Sequence, residues 1–283
     1  MNKNIQTFIG CDKEYSESDI AIFGVPFDGT TSFKPGTRFG PSAIRNESFG
    51  IETYSPYQDK DLSEINAFDC GDLELPFGNT KKVLEIVGNQ TEQILNDEKI
   101  PVMLGGEHLI TLASVCATLK KYPDLHIIHF DAHTDLRNEY MGEKLSHSTV
   151  MKCVWEKVGD NKIYQFGIRS GEKYEFEFAK EHTVMQKFNL NGFDNAVEKL
   201  KDKPVYFSLD LDILDPSIFS GTGTPEAGGV TFTELVNAIL KLKELNVVAC
   251  DINELAPMYD QSGVSTAVAC KILREILLTL KGV

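Results

Sequence analysis

Short apolar segments and longer amphipathic segments alternate along the chain. The short segments, rich in β-branched and aromatic residues, predict strands over 19–25, 65–70, 101–104, 125–130, 162–167, 205–209 and 247–252. The longer segments predict helices over 81–96, 110–121, 146–157, 194–201, 231–245 and 266–280. Strands that alternate with helices predict an α/β fold, in which helices cover both faces of a mainly parallel sheet. No repeat or linker divides the sequence, so we expect one domain over 1–283.

Side chains that can bind a metal follow three of the predicted strands. They are His108, then Asp131, His133 and Asp135, then Asp210 and Asp212. If the extended backbone continues past Phe130, the three side chains of the middle group project to one side. A single Asp-x-His pair would be explained more simply by turn and helix-cap preferences. The second, distant group argues against that explanation, because the carboxyl ends of parallel strands meet at one edge of a sheet.

The ligand types indicate which metal would bind. The set contains four carboxylates, two imidazoles and no cysteine, which favours manganese or a similar ion over a thiolate-type zinc site. Six ligands suit two ions that share carboxylates at a separation of about 3.5 to 4 Å. Such ions lower the pKa of bound water, so that hydroxide is available near neutral pH. The residues therefore predict a binuclear hydrolase.

Composition narrows the possible partners and the compartment. The net charge of −14 argues against nucleic acid and anionic membranes, which are polyanions, and agrees with a cationic substrate. The six cysteines lie far apart without a CxxC pair, so neither a zinc ribbon nor a small disulfide framework is indicated. The sequence has no signal peptide pattern and no apolar run long enough to span a membrane. We therefore expect a cytoplasmic enzyme without a membrane partner.

Several segments together resemble the ureohydrolase (arginase/agmatinase) family over almost the whole chain. The segments are Gly105–His108, Phe130–Asp135, Ser208–Pro216, the loop of 28–45 and the loop of 221–226. The resemblance implies a three-layer α/β/α arginase-like fold and metal-dependent hydrolysis of a guanidino C–N bond. It further implies two Mn²⁺ per subunit, a small cationic guanidino substrate and a homo-oligomer, either a trimer or a hexamer.

The resemblance also implies a role for each site residue. One manganese would be held by His108, Asp131, Asp135 and Asp210, and the other by His133, Asp131, Asp210 and Asp212. A hydroxide bridging the two ions would attack the guanidinium carbon, and Asp135 would relay a proton to the departing amine. Glu254 would pair with the substrate's guanidinium in two-pronged fashion. His147 would lie in the active site and ferry protons.

The segment between Asp135 and His147 bears on the substrate. It lacks the Asn- and Ser-rich pattern of arginases and resembles the agmatinase branch, whose substrate agmatine is a dication. Acidic residues such as Glu139 and Glu143 are expected near the mouth of the site. Arg137 is a substrate-binding candidate that would suit a carboxylate-ended substrate, which keeps 4-guanidinobutyrate and formimidoylglutamate as alternatives. Its other interpretation is a surface or intersubunit salt bridge.

Two further alternatives have a different chemistry. The chain could be a non-catalytic metal-binding protein that kept the fold, although the intact ligand set argues against this. It could also resemble zinc deacetylases of similar architecture, which use one ion, whereas His108 and Asp135 argue for two. The remaining histidines, His126, His129 and His182, are expected to be structural.

Overall fold

The molecule is described by a computed structural model that covers residues 6–280. The strands are β1 (Ile20–Gly24), β2 (Tyr54–Ser55), β3 (Lys60–Asp61), β4 (Ala67–Asp72), β5 (Ile100–Leu104), β6 (His126–Phe130), β7 (Ile163–Ile168), β8 (Val184–Lys187), β9 (Pro204–Asp210) and β10 (Asn246–Asn253). The helices are α1 (Gly40–Glu47), α2 (Thr80–Asn96), α3 (Ile110–Lys121), α4 (Val150–Val158), α5 (Lys173–His182), α6 (Phe193–Leu200), α7 (Phe232–Ile239) and α8 (Val264–Leu280).

Eight of these strands form one sheet in the order β4-β1-β5-β10-β9-β6-β7-β8. Each neighbouring pair in it runs parallel. The predicted α/β class with a mainly parallel sheet is confirmed, whereas the single domain over 1–283 stays a prediction. Within residues 6–280, no helix is both long enough and apolar enough to cross a membrane.

Side chains along the central strands alternate between the two faces of the sheet, and the helices that pack on each face complete the three layers. Ile128 and Phe130 of β6 belong to the apolar cluster on one face, and Ile127 belongs to the cluster on the other. Helices α1, α6, α7 and α8 cover the first face, and α2, α3 and α4 cover the second. Phe130 packs edge to face against Phe166, Phe193 and Phe207, with ring centroids 5.0 to 5.6 Å apart. This packing anchors the end of β6 directly before Asp131.

The structure contains elements that the apolar pattern did not predict. Helix α1 begins inside the segment of 28–45 that was expected to be a loop, with a proline in its first turn, where the missing N–H costs no hydrogen bond. Helix α5 and the edge strand β8 are rich in polar residues, and most of their side chains are not buried. The predicted helices of 146–157 and 231–245 are shorter, because His147–Thr149 and Leu240–Glu244 form 3₁₀ turns.

The two glycines after β5 allow very close approach of neighbouring backbone and side chains. A Cβ on Gly105 would lie 1.8 Å from Asn253 Oδ1, and one on Gly106 would lie 1.8 Å from the carbonyl oxygen of Phe27. The next residue, Glu107, donates its backbone N–H to the same Phe27 carbonyl at 2.8 Å. The end of β5 is therefore held between β10 and the loop that follows β1, and this places His108 over the carboxyl edge of the sheet.

Candidate metal centre

The first group of predicted ligands surrounds the imidazole of His108. Its Nδ1 atom lies 3.1 Å from Asp131 Oδ2, 3.3 Å from Asp135 Oδ2 and 3.4 Å from Asp210 Oδ2. All four side chains are buried. The carboxyl ends of β5, β6 and β9 therefore bring three aspartates around one imidazole nitrogen.

The second group surrounds His133 and shares Asp131 with the first. His133 Nδ1 lies 3.0 Å from Asp212 Oδ2 and 3.5 Å from Asp131 Oδ1. Asp210 is a second link between the two groups, because its Oδ1 accepts the backbone N–H of Asp212 at 2.8 Å. The six predicted ligands form one continuous cluster.

The local geometry that produces this cluster differs from the prediction. Strand β6 ends at Phe130, and the extended segment does not reach Asp135 as the prediction assumed. Asp135 has a left-handed backbone with φ of 51°, and His133 forms an isolated bridge with Ser170. Asp212 lies in a 3₁₀ turn, Leu211–Ile213. Turns after the strands, and not extended backbone, bring these side chains together.

A hydrogen-bond chain fixes which nitrogen of His108 faces the cluster. Ser208 Oγ donates to Asp251 Oδ1 at 2.7 Å, and because a serine hydroxyl has one proton, it must accept from His108 Nε2 at 2.8 Å. In the neutral ring, the lone pair of His108 therefore lies on Nδ1, which is buried and has no well-aligned hydrogen-bond partner among the described residues. A histidine held through its other nitrogen is the usual arrangement of a metal ligand.

The donor atoms around His108 fit a divalent cation. Ligand atoms about 2.1 Å from an octahedral ion lie about 3 Å from one another, close to the 3.1 to 3.4 Å observed here. Burial, reinforced by the charges of Asp212 and Asp131, raises the pKa of Asp210 well above its usual value. Although burial opposes it, the aspartates that surround Nδ1 raise the pKa of His108 well above its usual value. The carboxylates thus repel one another and attract a positive charge, which a metal ion would supply.

His147 lies on the wall of a cavity of about 340 Å³ that also contains His133 and Asp135. Its Nε2 is 2.9 Å from Ser32 Oγ, and its backbone N–H donates to Thr30 Oγ1 at 3.0 Å. Thr30 in turn donates to the buried Glu107 at 2.6 Å. Burial, followed by the neighbouring charges of His133 and His108, lowers the pKa of His147 to about 4. The loop after β1 therefore forms one wall of the cavity and holds a neutral His147.

Glu254 lies at the end of β10, next to the first ligand group. It is buried, and its Oε1 accepts the backbone N–H of His108 at 2.9 Å. Its backbone is left-handed with φ of 68°, an unfavourable conformation for a residue with a Cβ that often marks functional sites. Burial, with the charges of Glu107 and Asp212, raises the pKa of its carboxyl group well above the usual value. A cationic partner would relieve this cost.

The arginase family model matches residues 18–279. The chain belongs to the arginase family. It is 47% identical over 277 residues to the agmatinase of Bacillus subtilis, covering 96% of both chains. Among solved structures, a Clostridium difficile protein named provisionally as an agmatinase superposes with a TM-score of 0.93 at 52% identity, covering 94% of this chain and 98% of that one. The agmatine ureohydrolase of Thermoplasma volcanium superposes with a TM-score of 0.89 at 32% identity, covering 99% and 95%.

Membership in the family establishes the reaction class and the general cofactor. The chain is a ureohydrolase that acts on a guanidino C–N bond, as the resemblance predicted. Arginase-family proteins are binuclear metal enzymes, and the clustered histidines and aspartates supply suitable ligands. The three-layer arginase-like fold is likewise confirmed.

Two glutamates line this cavity of the arginase-family site, and neither was predicted. Glu139 and Glu143 do not line it, but Glu143 lines a neighbouring cavity that shares Ser32 and Tyr140 with it. Glu172 and Glu175 line the cavity of the site instead, and both come from the start of the unpredicted helix α5. Glu175 is buried, whereas the side chain of Glu172 is 55% exposed. The negative charge near the mouth thus comes from the start of helix α5, whose sequence has no periodic pattern of apolar residues.

Arg137 also lines the cavity and is paired within the chain. Its Nη2 lies 3.3 Å from Glu172 Oε1, and its Nε lies 3.8 Å from Glu175 Oε2. Its guanidinium carbon is 4.7 Å from the centre of the Tyr140 ring. The salt-bridge interpretation of Arg137 agrees with these contacts, while its role in substrate binding stays a prediction.

One residue of the cluster was not among the predicted ligands. His129 was expected to be structural, but its Nε2 lies 2.7 Å from Asp131 Oδ2, inside the cluster. The signal was present in the sequence, since residues 129 and 131 fall on the same face of an extended segment. The other two histidines lie away from the centre, as expected: His126 Nδ1 is 2.9 Å from the carbonyl oxygen of Asp124, and His182 pairs with Asp160.

Proposed function

We propose that the protein is an agmatinase, which hydrolyses agmatine to putrescine and urea with two manganese ions. The observation that carries the proposal is the convergence of six metal-binding side chains beside a cavity whose mouth carries Glu172. The similarity to agmatinases over nearly the whole chain supports the same substrate.

The ligand geometry supports a specific assignment of side chains to the two ions. His108, Asp131, Asp135 and Asp210 would hold one ion, and His133, Asp131, Asp210 and Asp212 would hold the other. When bound, manganese lowers the pKa of water so that a hydroxide nucleophile is available near neutral pH.

Three side chains would act on the substrate and the departing amine. Glu254 would receive the guanidinium through paired N–H···O hydrogen bonds, which would both orient the planar group and neutralise the buried carboxylate. Asp135, which lines the cavity, would deliver a proton to the departing amine. His147 would exchange protons between the cavity and solvent, because its neutral ring can accept one.

The other end of agmatine is an ammonium group that needs an anionic partner. Glu172 is the exposed carboxylate at the mouth, and Arg137 only partly neutralises it, at 3.3 Å. We infer that the ammonium end lies beside Glu172. A carboxylate-ended substrate such as 4-guanidinobutyrate would have to approach Arg137 instead, and Arg137 already contacts two glutamates.

A substrate panel with the manganese-loaded protein tests the proposal. We expect urea from agmatine, with a kcat/KM at least about 100-fold above that for arginine, since an unpaired carboxylate beside Glu172 costs a few kcal/mol. Urea from 4-guanidinobutyrate alone, or ammonia from formimidoylglutamate alone, would overturn it. The cytoplasmic location and the trimeric or hexameric assembly stay predictions.

A further inference from the structure

His129 occupies a position beside the metal centre that the assigned ligand set does not use. It is completely buried in β6, and its ring centroid is 5.1 Å from that of His108. Its Nε2 points at Asp131 Oδ2 from 2.7 Å. One ring nitrogen of His129 also lies within 4.8 Å of donor atoms of His108 and Asp135. By position alone, His129 could therefore be either a seventh ligand or a hydrogen-bond donor to a ligand.

The second nitrogen of the ring distinguishes these two possibilities. Gln165 Nε2 lies 2.8 Å from the carbonyl oxygen of Thr134, which can only accept, so this end of the Gln165 amide must be the nitrogen. The same nitrogen lies 3.1 Å from His129 Nδ1, and Gln165 Oε1 accepts from Thr183 Oγ1 at 3.1 Å. His129 Nδ1 must therefore accept, and this places the ring proton on Nε2. A nitrogen that carries a proton cannot bind a metal.

We propose that His129 is a positioning residue that donates its Nε2–H to Asp131 and thereby orients this shared carboxylate for two metal ions. Asp131 Oδ1 accepts the backbone N–H of His133 at 2.5 Å, while Oδ2 accepts from His129. Each carboxylate oxygen has two lone pairs, so one remains on each oxygen for a metal ion. Gln165 acts one step further out, by holding the His129 tautomer.

The inference rests on the proposed metal-dependent function, but it concerns metal affinity and can be tested without substrate. Outer partners of this kind change metal affinity by about 10- to 100-fold when they are replaced. The metal-stripped protein is titrated with Mn²⁺, and free Mn²⁺ is followed by electron paramagnetic resonance. The titration gives the number of bound ions and their affinities.

Two substitutions at His129 separate a donor from a ligand. His129→Gln keeps an N–H near the position of Nε2, and His129→Leu removes it at similar bulk. We expect both variants to bind two ions, with His129→Leu weaker than wild type by about 10- to 100-fold and His129→Gln clearly tighter than His129→Leu. Equal losses in both variants together with one fewer bound ion would show a ligand and overturn the proposal. Unchanged affinity in His129→Leu would also overturn it.

Two further variants guard against misfolding and against nonspecific effects. Gln165→Met removes the group that fixes the tautomer but leaves His129 in place, and we expect a weaker affinity for Mn²⁺ than in wild type. If His129→Leu does not fold, unchanged affinity in Gln165→Met overturns the proposal. His126→Gln alters a histidine of the same strand that lies away from the cluster, and its affinity should equal that of wild type.

The proposed function and the role of His129 fail in different ways. A wild-type protein that binds two Mn²⁺ without hydrolysing agmatine would contradict the proposed function. The Mn²⁺ affinities of the His129 variants would still test the role of His129. A wild-type protein that hydrolyses agmatine while His129→Leu binds Mn²⁺ normally would contradict the His129 proposal alone. A wild-type protein that binds no Mn²⁺ would overturn both.

Discussion

Replacing Asp210 by Asn should stabilise the metal-free protein and abolish most of its response to metal. Asp210 is buried, and its pKa is raised well above its usual value by burial and by the charges of Asp212 and Asp131. A carboxyl group whose pKa is raised on folding costs stability as the pH rises above its unfolded pKa of about 4. Asparagine has nearly the same shape and no charge, so at neutral pH this cost disappears.

The distances give the size of the effect. Asp131 Oδ2 and Asp210 Oδ2 lie 3.1 and 3.4 Å from His108 Nδ1, so the two oxygens are no more than about 6.5 Å apart. At an effective dielectric constant of about 20, two such charges repel by at least about 2.5 kcal/mol. For a chain of this length, that corresponds to a rise in Tm of about 5 °C.

Metal should reverse the order of stability. When free Mn²⁺ is about 100 times the Kd, each bound ion adds about 2.7 kcal/mol, so that two ions raise the wild-type Tm by roughly 10 °C. Asp210→Asn removes a ligand assigned to both ions and should lose most of this rise. Thermal unfolding with and without Mn²⁺ measures both effects. A metal-free Asp210→Asn variant less stable than wild type would show that the charge of Asp210 does not destabilise the metal-free protein.

Asp215 provides a matched control. The Ser217 hydroxyl and backbone N–H groups lower the pKa of Asp215 to about 2. Its carboxylate therefore stabilises the protein above an unfolded pKa of about 4, and this stabilisation is lost as the pH falls towards 2. Asp215→Asn should lower the Tm at neutral pH by the same amount with and without Mn²⁺.

Three further predictions concern the substrate, the pH dependence and the core. Glu172→Gln should raise the KM for agmatine by about 10-fold with little change in kcat, as expected for loss of one charged contact. The control Glu177→Gln, in helix α5, should change neither value. An unaffected KM in Glu172→Gln would contradict the inferred position of the ammonium group. His147→Asn should lower kcat by about 100-fold. Because the pKa of His147 is lowered to about 4, its ring is neutral at both about pH 6.5 and pH 8.5, and the loss of kcat should be equal at the two pH values. A loss of kcat at only one of these pH values would contradict a neutral ring. Phe130→Ala should cost about 3 to 5 kcal/mol in the free energy of unfolding measured with denaturant, and a cost below about 1 kcal/mol would contradict the anchoring role of this residue.

The sequence predicted the parts of the molecule that burial determines. Strands buried on both faces have nearly continuous apolar runs, so β5, β6, β9 and β10 were recognised together with the ligands that follow them. Their parallel arrangement placed His108, Asp131 and Asp210 at one edge. Apolar periodicity could not reveal helix α5, which is rich in glutamate and lysine and mostly exposed.

The details of the site depended on backbone turns and on hydrogen bonds between distant residues. Asp135 reaches His108 because its backbone is left-handed, a conformation that no pattern in the sequence predicted. The contact of Arg137 with Glu172 joins residues 35 positions apart, and that of Gln165 with His129 joins residues 36 apart. Such pairs become visible only when the strands and loops are assembled.

Metal-dependent agmatinase activity is tested most directly by steady-state hydrolysis of agmatine by the wild-type protein, first stripped of metal and then loaded with Mn²⁺. We predict no turnover by the stripped protein, restoration of turnover by Mn²⁺ and release of urea and putrescine in equal amounts, with arginine a far poorer substrate. Turnover that does not depend on metal, or a Mn²⁺-loaded protein that releases urea from arginine faster than from agmatine, would contradict this prediction.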